Sequence, residues 1–252
     1  MAQSQRKGKS SKGSGNTAFY GVLGLIAVVG IAAISYAMVG SAGNATTELV
    51  EIDAPTARAL YEQAVPVRLG PEDAPVKVVE FGDYQCPACG QFSLQVRPSI
   101  VEQYVGTGRV QFVFYDYPLV EIHDHAVLAA RAARCAGAQT LEGSERGAFW
   151  AYHDKLFQEQ NNWAYQQGSV AGDFVDYAEQ LGLDAGAFEA CLDSDQFADV
   201  VTANRRLGEQ LRISGTPTIL VNNRKIDNWA PVALSQAIEQ ALGATPSETE
   251  GQ

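Results

Sequence analysis

The sequence predicts an α/β protein in which an all-helical subdomain is inserted into a small mixed β-sheet, preceded by one N-terminal transmembrane helix. Three observations lead to this expectation. Short apolar segments alternate with amphipathic segments over residues 66–242. Within that range, the stretch from about 122 to 211 reads as helical segments alone. Residues 18–40 are apolar and carry no charge. With 252 residues, the chain can form one sizeable domain with appendages.

The N-terminal region predicts a basic tail, a membrane anchor and a linker. Residues 1–17 contain four basic residues and no acidic residue, which places them in the cytoplasm by the positive-inside rule. A helix over 18–40 crosses a hydrocarbon core of about 30 Å, and 41–65 is expected to be a linker. The alternative is a signal peptide cleaved at the small residues after 40, although signal segments are usually shorter. Either way, the domain is extracytoplasmic, on the periplasmic or cell-wall side.

The charge balance argues against a nucleic-acid partner. The net charge is −11, and the first 47 residues carry only positive charges, so the acidic excess lies entirely in the remainder. Phosphate binding requires clusters of Lys and Arg, which an acidic domain of this kind does not provide.

The first half of the domain predicts a β-α-β unit. Residues 76–81 and 110–115 are short, apolar and rich in β-branched or aromatic residues, which favours buried strands. The segment 86–104 between them predicts a helix that ends at Gly106 and Gly108. A β-α-β unit requires parallel strands and a right-handed crossover.

The second half predicts a β-β-α unit behind the helical insertion. Residues 218–221 read as a third strand, and an Asn-Asn turn leads to a return strand at 225–226. Pro231 suits the first turn of a last helix that reaches 242. Residues 243–252 are polar and are expected to form a flexible tail. A β-α-β unit, a helical insertion and a β-β-α unit together outline a thioredoxin fold.

The candidate catalytic motif is Cys86-Pro87-Ala88-Cys89, at the junction of a predicted strand and helix. Free N–H groups and the macrodipole at a helix N-terminus favour an anion, so a thiol at Cys86 ionises more readily. Proline is well tolerated at the first helical position. Cys89 lies one turn later, where it can resolve a mixed disulfide formed at Cys86.

Two alternatives for this motif are half of a zinc site and a plain structural disulfide. Tetrahedral zinc needs two further ligands, and the sequence contains no second CxxC and no HxxxH pair. A disulfide across a two-residue loop gains little from chain entropy. The context therefore favours a redox-active dithiol with neither a metal nor a cofactor.

Three further residues, Glu80, Thr216 and Pro217, are candidates for catalytic roles. Glu80 lies among apolar residues in the preceding strand, where burial would raise the pKa of its carboxyl and let it relay a proton for Cys89. Alternatively, its side chain reaches solvent. Thr216 and Pro217 precede the third strand, and a cis bond between them would leave the backbone of Thr216 free to pair with an extended substrate segment. The alternative is a trans proline at the entry of the strand.

Several segments resemble the DsbA-like thioredoxin-fold proteins of bacterial cell envelopes. They are GPEDAPVKVVEFGDYQCPACGQF, YDYPL, AARAARCAGAQ, FWAYHDKLF, CLDS and SGTPTILVN, which together cover roughly residues 66–242. The resemblance implies a helical insertion in the same place. It also implies that Cys86 is the nucleophile, Cys89 the resolving cysteine, Glu80 the buried acid, and Thr216-Pro217 the cis-proline loop.

The resemblance also implies an activity and its partners. Members of this family oxidise the thiols of exported proteins. They are reoxidised by a quinone-linked membrane oxidoreductase, which is either DsbB-like or similar to vitamin K epoxide reductase. A monomer is expected. This chain departs from the best-known strong oxidants, because Pro-Ala replaces Pro-His between its cysteines. The alternatives are a reductase or isomerase of the same fold, or an anchored binding module without catalysis.

The remaining cysteines are Cys135 and Cys191, which bracket most of the helical insertion. Related anchored members carry cysteines in similar places, so the resemblance implies a structural disulfide between these two. The alternative is a pair of buried free thiols. An oxidising compartment favours the bond.

Overall fold

The computed structural model describes residues 45–140 and 147–244. The predicted tail 1–17, the predicted anchor 18–40 and most of the segment 243–252 lie outside the described residues. Within the described ranges, no helix combines the length and the apolar character that crossing a bilayer demands.

The described residues form a five-stranded sheet with the strand order β1-β3-β2-β4-β5. Strands β2 and β3 are parallel, whereas β1 pairs with β3, β4 with β2, and β5 with β4 in antiparallel fashion. The prediction of a thioredoxin-like sheet is thus confirmed, and β1 adds an edge strand that the sequence did not indicate. The strands are β1 (Val67–Leu69), β2 (Val76–Gly82), β3 (Val110–Asp116), β4 (Thr218–Val221) and β5 (Arg224–Ile226).

A short helix precedes the sheet, and a longer helix connects its two parallel strands. The first, α1 (Ala57–Gln63), begins at Thr56, whose hydroxyl caps it. The second, α2, runs over 87–105 and alternates between α-helical and π-helical turns. Pro98 lies inside it and has no N–H to donate, which accounts for an irregular ladder at this point. The segments of α2 are Pro87–Gln91 (α), Phe92–Val96 (π), Arg97–Ile100 (α) and Val101–Val105 (π).

Among the described residues between β3 and β4 there are six helices, which confirms the helical insertion. They are α3 (Ala126–Gly137), α4 (Gly147–Gln158), α5 (Gln160–Trp163), α6 (Ala171–Gln180), α7 (Ala185–Asp193) and α8 (Ala198–Gln210). Breaks occur at Gly168 and Gly182, which have φ angles of +88° and +80° that glycine adopts readily. A disulfide between Cys135 and Cys191 joins α3 to α7, with the two Cα atoms 5.8 Å apart.

The last helix of this stretch, α8, packs on the sheet itself. Ala203 and Leu207 of α8 lie in one buried cluster with Phe81, Tyr115 and Tyr117. The opposite face of the sheet is covered by α2 and by the C-terminal helix α9 (Pro231–Ala244). Because side chains alternate along a strand, each face of β2 and β3 contributes to its own core.

The first half of the predicted linker is hydrogen-bonded to the folded domain. The N–H of Thr46 donates to Asp195 Oδ1 at 2.9 Å, and the N–H of Val50 donates to Thr202 Oγ1 at 3.1 Å. Arg206 donates to the carbonyl oxygen of Ile52 at 3.1 Å. Residues 46–52 are therefore held against α8 and the turn before it.

Candidate active site

The Cys86–Cys89 motif lies where β2 ends and α2 begins. Cys86 is the N-cap of α2 in an extended conformation (φ −73°, ψ 121°), and Pro87 occupies the first helical position. The carbonyl oxygen of Cys86 accepts the N–H of Gly90 at 3.1 Å, which closes the first turn. The local sequence thus produces the strand-to-helix junction that favours a thiolate at Cys86.

Cys86 and Cys89 are both free thiols, and their surroundings favour opposite protonation states. Hydrogen bonding from Cys89 lowers the pKa of Cys86 to about 6; Thr216 and the first helical N–H groups add to this effect, and partial burial opposes it. Cys89 is fully buried, and burial raises its pKa well above the ordinary value. Cys86 is therefore the residue that ionises near neutral pH, and Cys89 keeps its proton.

The loop before β4 lies against the nucleophile. The Thr216–Pro217 peptide bond is cis. The Cys86 thiol donates to the carbonyl oxygen of Thr216, with 3.4 Å between the sulfur and the oxygen. Strand β4 pairs with β2, the strand that leads to Cys86, so the sheet itself brings residues 130 positions apart together.

Glu80 is an uncompensated buried acid below the motif. It has no exposed surface, so the alternative that its side chain reaches solvent is wrong. Neither carboxylate oxygen has a hydrogen-bond partner among the described residues. Burial raises the pKa of Glu80 to about 8, with Arg97 opposing the shift and Cys86 adding to it. The carboxyl group can therefore gain or lose a proton near neutral pH.

Asp83 and His123 also belong to the site, although the sequence analysis assigned a role to neither residue. The N–H of Asp83 donates to Cys89 Sγ at 3.4 Å. Its buried carboxylate accepts the N–H of Gln85 at 2.7 Å and that of Leu119 at 2.8 Å. Nδ1 of His123 lies 2.7 Å from Asp83 Oδ2, and this hydrogen bond raises the pKa of His123. The sequence feature that could have indicated this part of the site is the acidic residue Asp83, three positions before Cys86.

Two glutamines connect the same turn to the helical insertion. The Gln85 side chain accepts the N–H of His125 at 2.8 Å and donates to the carbonyl oxygen of Ala164 at 2.6 Å. Gln160 donates to the carbonyl oxygens of Tyr84 at 2.7 Å and Cys86 at 3.0 Å. No sequence pattern indicates such contacts, because these partners lie more than 35 positions apart in the chain.

The arrangement is suited to thiol–disulfide exchange. A thiolate attacks a disulfide sulfur, and a neighbouring thiol then displaces the mixed disulfide. Cys86 provides an ionisable thiol and Cys89 a second thiol one turn away. Within the described residues, no group of three or more His, Cys, Asp or Glu side chains is arranged to hold a metal ion.

The domain is similar to known proteins both in sequence and in structure. A family model described as "Thioredoxin" matches residues 62–240. Disulfide bond formation protein D of Bacillus subtilis is 33% identical over 176 residues, which are 69% of this chain and 76% of that protein. The crystal structure of oxidised BdbD from Bacillus subtilis superposes with a TM-score of 0.62 at 33% identity, covering 70% of this chain and 92% of the other.

A longer protein also contains a similar segment. The Na(+)/H(+) antiporter NhaA 3 of Salinispora tropica is 34% identical over 183 residues, which are 72% of this chain. This chain spans about a quarter (26%) of the length of that relative. The similarity thus concerns a domain that occurs in proteins of different overall length.

Proposed function

The chain belongs to the DsbA-like branch of the thioredoxin family, and from that premise we propose that it is a thiol–disulfide oxidoreductase that introduces disulfides into exported proteins. The observation that supports this most strongly is the contrast between its two thiols. The pKa of Cys86 is lowered to about 6, whereas burial raises that of Cys89, one helical turn away. A thiol with a low pKa is also a good leaving group, which favours transfer of the disulfide to a substrate.

The reaction begins with the Cys86–Cys89 disulfide. A substrate thiolate attacks Sγ of Cys86; the S–S bond breaks, and its electron pair leaves on Cys89 Sγ, which takes up a proton. A second substrate thiolate then attacks the substrate sulfur of the mixed disulfide. The Cys86 thiolate leaves, the substrate gains one disulfide, and the enzyme holds both electrons as a dithiol. The low pKa of Cys86 favours this last step, because it makes the thiolate a good leaving group.

Glu80 is the proposed proton relay for Cys89. The carboxyl is buried, has a pKa of about 8, and is electrostatically coupled to the buried thiol. It can give a proton to the Cys89 thiolate when that sulfur leaves, and take one back when the pair is reoxidised. Thr216 and Pro217 are the proposed substrate contact, since the carbonyl oxygen of Thr216 lies beside Cys86.

The cellular setting is proposed from the sequence. A helix over 18–40 would anchor the chain in the cytoplasmic membrane, with 1–17 in the cytoplasm, 41–65 as linker, the domain 66–242 outside and 243–252 as a tail. Electrons from the Cys86–Cys89 dithiol would pass to a quinone-linked membrane oxidoreductase, DsbB-like or similar to vitamin K epoxide reductase. The substrates would be thiols of exported proteins, and the enzyme would act as a monomer.

The test is a disulfide-transfer assay with the full chain in detergent. The oxidised protein is mixed with a reduced peptide that contains two cysteines, and peptide oxidation is followed by mass spectrometry together with the redox potential of the pair. We expect stoichiometric oxidation by wild type, none by Cys86→Ser, and a potential closer to about −120 mV than to about −270 mV. A potential near the lower value would instead indicate a reductase. No exchange at all would indicate a binding module.

A further inference from the structure

The turn that presents the nucleophile is held by one side chain of the helical insertion. Gln160, the first residue of α5, is buried and reaches the end of β2 from a different part of the fold. Its Nε2 donates to the carbonyl oxygen of Tyr84 at 2.7 Å and to that of Cys86 at 3.0 Å. Because a primary amide has two N–H groups, this one nitrogen can donate to carbonyl oxygens at both ends of the turn 84–86.

The residue after Cys89 leaves room for this amide. A Cβ atom on Gly90 would lie 2.7 Å from Oε1 of Gln160, closer than real Cβ atoms approach, and 3.3 Å from its Cδ. Gly90 is in the first turns of α2 and has an ordinary helical conformation, so no positive φ angle requires a glycine there. A glycine within a helix costs about 0.5–1 kcal/mol relative to alanine. The close approach of Gln160 explains why a glycine occupies position 90.

We propose that Gln160 is a positioning residue for Cys86, which keeps the sulfur over the first N–H groups of α2 and beside Cys89. This inference rests on the proposed function, because it concerns the reactivity of the same nucleophile. The carbonyl oxygen of Cys86 accepts both the Gln160 amide and the N–H of Gly90, so the amide fixes the peptide that links the N-cap to the helix. Hydrogen bonds weaken steeply with misalignment, and the contacts that stabilise the thiolate depend on this peptide.

The geometry also connects the insertion to the reactivity of the thiol. Gln160 is separated from the motif by β3 and two helices of the insertion, α3 and α4, and its contact with the turn is made through side-chain atoms. A shift of α5 relative to β2 would withdraw the amide from both carbonyl oxygens. Asp83 and Gln85 hold the same turn through other contacts, so we expect loss of Gln160 to weaken the thiolate site and not to abolish it.

The first test is Gln160→Ala in the full chain, with Gln158→Ala as the matched control. Gln158 has the same side chain, lies two positions earlier and is exposed. The pKa of Cys86 is measured from the pH dependence of its alkylation, and folding is monitored by circular dichroism. We expect Gln160→Ala to raise the pKa of Cys86 by about half a unit or more, and Gln158→Ala to leave it unchanged. Equal pKa values in wild type and Gln160→Ala would overturn the proposal.

The second test removes the same contact from the other side. In Gly90→Ala the new methyl group meets the end of a flexible side chain, so we expect the Gln160 amide to move while the helix gains stability. Gly90→Ala should therefore raise the pKa of Cys86, and Gly90→Ala/Gln160→Ala should match Gln160→Ala alone. Additive shifts in the double variant would show that the two residues act separately and would contradict the proposal.

These outcomes separate this inference from the proposed function. If Cys86 of the wild type titrates like an ordinary thiol, the proposed function itself fails. If the wild-type thiol has a low pKa and transfers disulfides, but the Gln160 and Gly90 variants behave like wild type, only the positioning role is lost.

Discussion

At the scale of single residues, the chemistry depends on two sulfur atoms in different environments. Cys86 is at a helix N-terminus beside Thr216, and Cys89 is enclosed in the core. The motif and its context in the sequence predict this division of roles, because a CxxC between a strand and a helix puts the first cysteine at the start of the helix and the second one turn inside it. The sequence does not reveal Gln85 and Gln160 as supports of the turn, because their partners come from distant segments.

The hydrogen bond from Cys89 is the main cause of the lowered pKa of Cys86, so removing it has a defined effect. We expect Cys89→Ala to raise the pKa of Cys86 from about 6 toward its ordinary value of about 9, because the methyl group cannot donate to the thiolate. Cys89→Ser retains a donor and should give a smaller shift. The pH dependence of alkylation measures both variants. An unchanged pKa in Cys89→Ala would show that the helix N-terminus and Thr216 stabilise the thiolate without Cys89.

Glu80 should destabilise the fold as the pH rises. Its pKa in the folded state is about 8, above the value of 4.5 in the unfolded chain, so the cost is absent below pH 4.5 and grows until about pH 8. We expect Glu80→Gln to stabilise the protein by about 3–5 kcal/mol at pH 8 and by little at pH 4.5. Urea unfolding at the two pH values measures this. A loss of stability at pH 8 would mean that the ionised carboxylate has a partner.

At the scale of secondary structure, the hydrophobic periodicity of the sequence predicts the long helices and strands. It does not predict the short edge strand β1. Strand β1 has three residues and is only partly buried, so its sequence carries no alternation to detect. The sequence predicts α2 as a single helix. Pro98 within it marks the place where the backbone hydrogen bonds of the helix cannot be regular. Contacts such as that of Gly90 with Gln160 depend on packing between elements and leave no local pattern.

The contact of α8 with the sheet requires a glycine. A Cβ atom on Gly208 would lie 2.5 Å from ring atoms of Tyr117, whereas one on Gly172 in α6 would meet nothing within 4 Å. We expect Gly208→Ala to destabilise the domain by about 1–3 kcal/mol, because the rings would have to move. Gly172→Ala is the control and should leave stability unchanged or slightly raised. Thermal unfolding distinguishes the two, and equal midpoints would contradict the close packing of α8.

The Cys135–Cys191 bond should stabilise the insertion without taking part in exchange. It joins α3 to α7 across a separation of 56 residues, and closing a loop of this length contributes about 4 kcal/mol in the entropic account. We expect Cys135→Ala/Cys191→Ala to lose about 2–4 kcal/mol of unfolding free energy while retaining the pKa of Cys86. Urea unfolding and alkylation measure these quantities. Loss of disulfide transfer in a folded double variant would instead assign this bond to the reaction.

At the scale of the whole molecule, the order of elements determined how much of the fold could be anticipated. A β-α-β unit and a β-β-α unit have few ways of forming one sheet, so the position of Thr216 and Pro217 beside Cys86 follows from topology. The path of residues 46–52 along α8 does not follow, because a polar segment without periodicity gives no indication of where it binds. The predicted anchor at 18–40 lies outside the described residues and remains a prediction.

The central claim is that the fold makes Cys86 ionise near neutral pH while Cys89 stays protonated. The most direct measurement is a titration of the thiolate ultraviolet absorbance of the chain with Cys86 and Cys89 reduced and the Cys135–Cys191 disulfide intact, compared with Cys86→Ser. We predict a transition with a midpoint near pH 6 that disappears in the variant. A Cys86 transition at the ordinary value of about 9 would contradict the account.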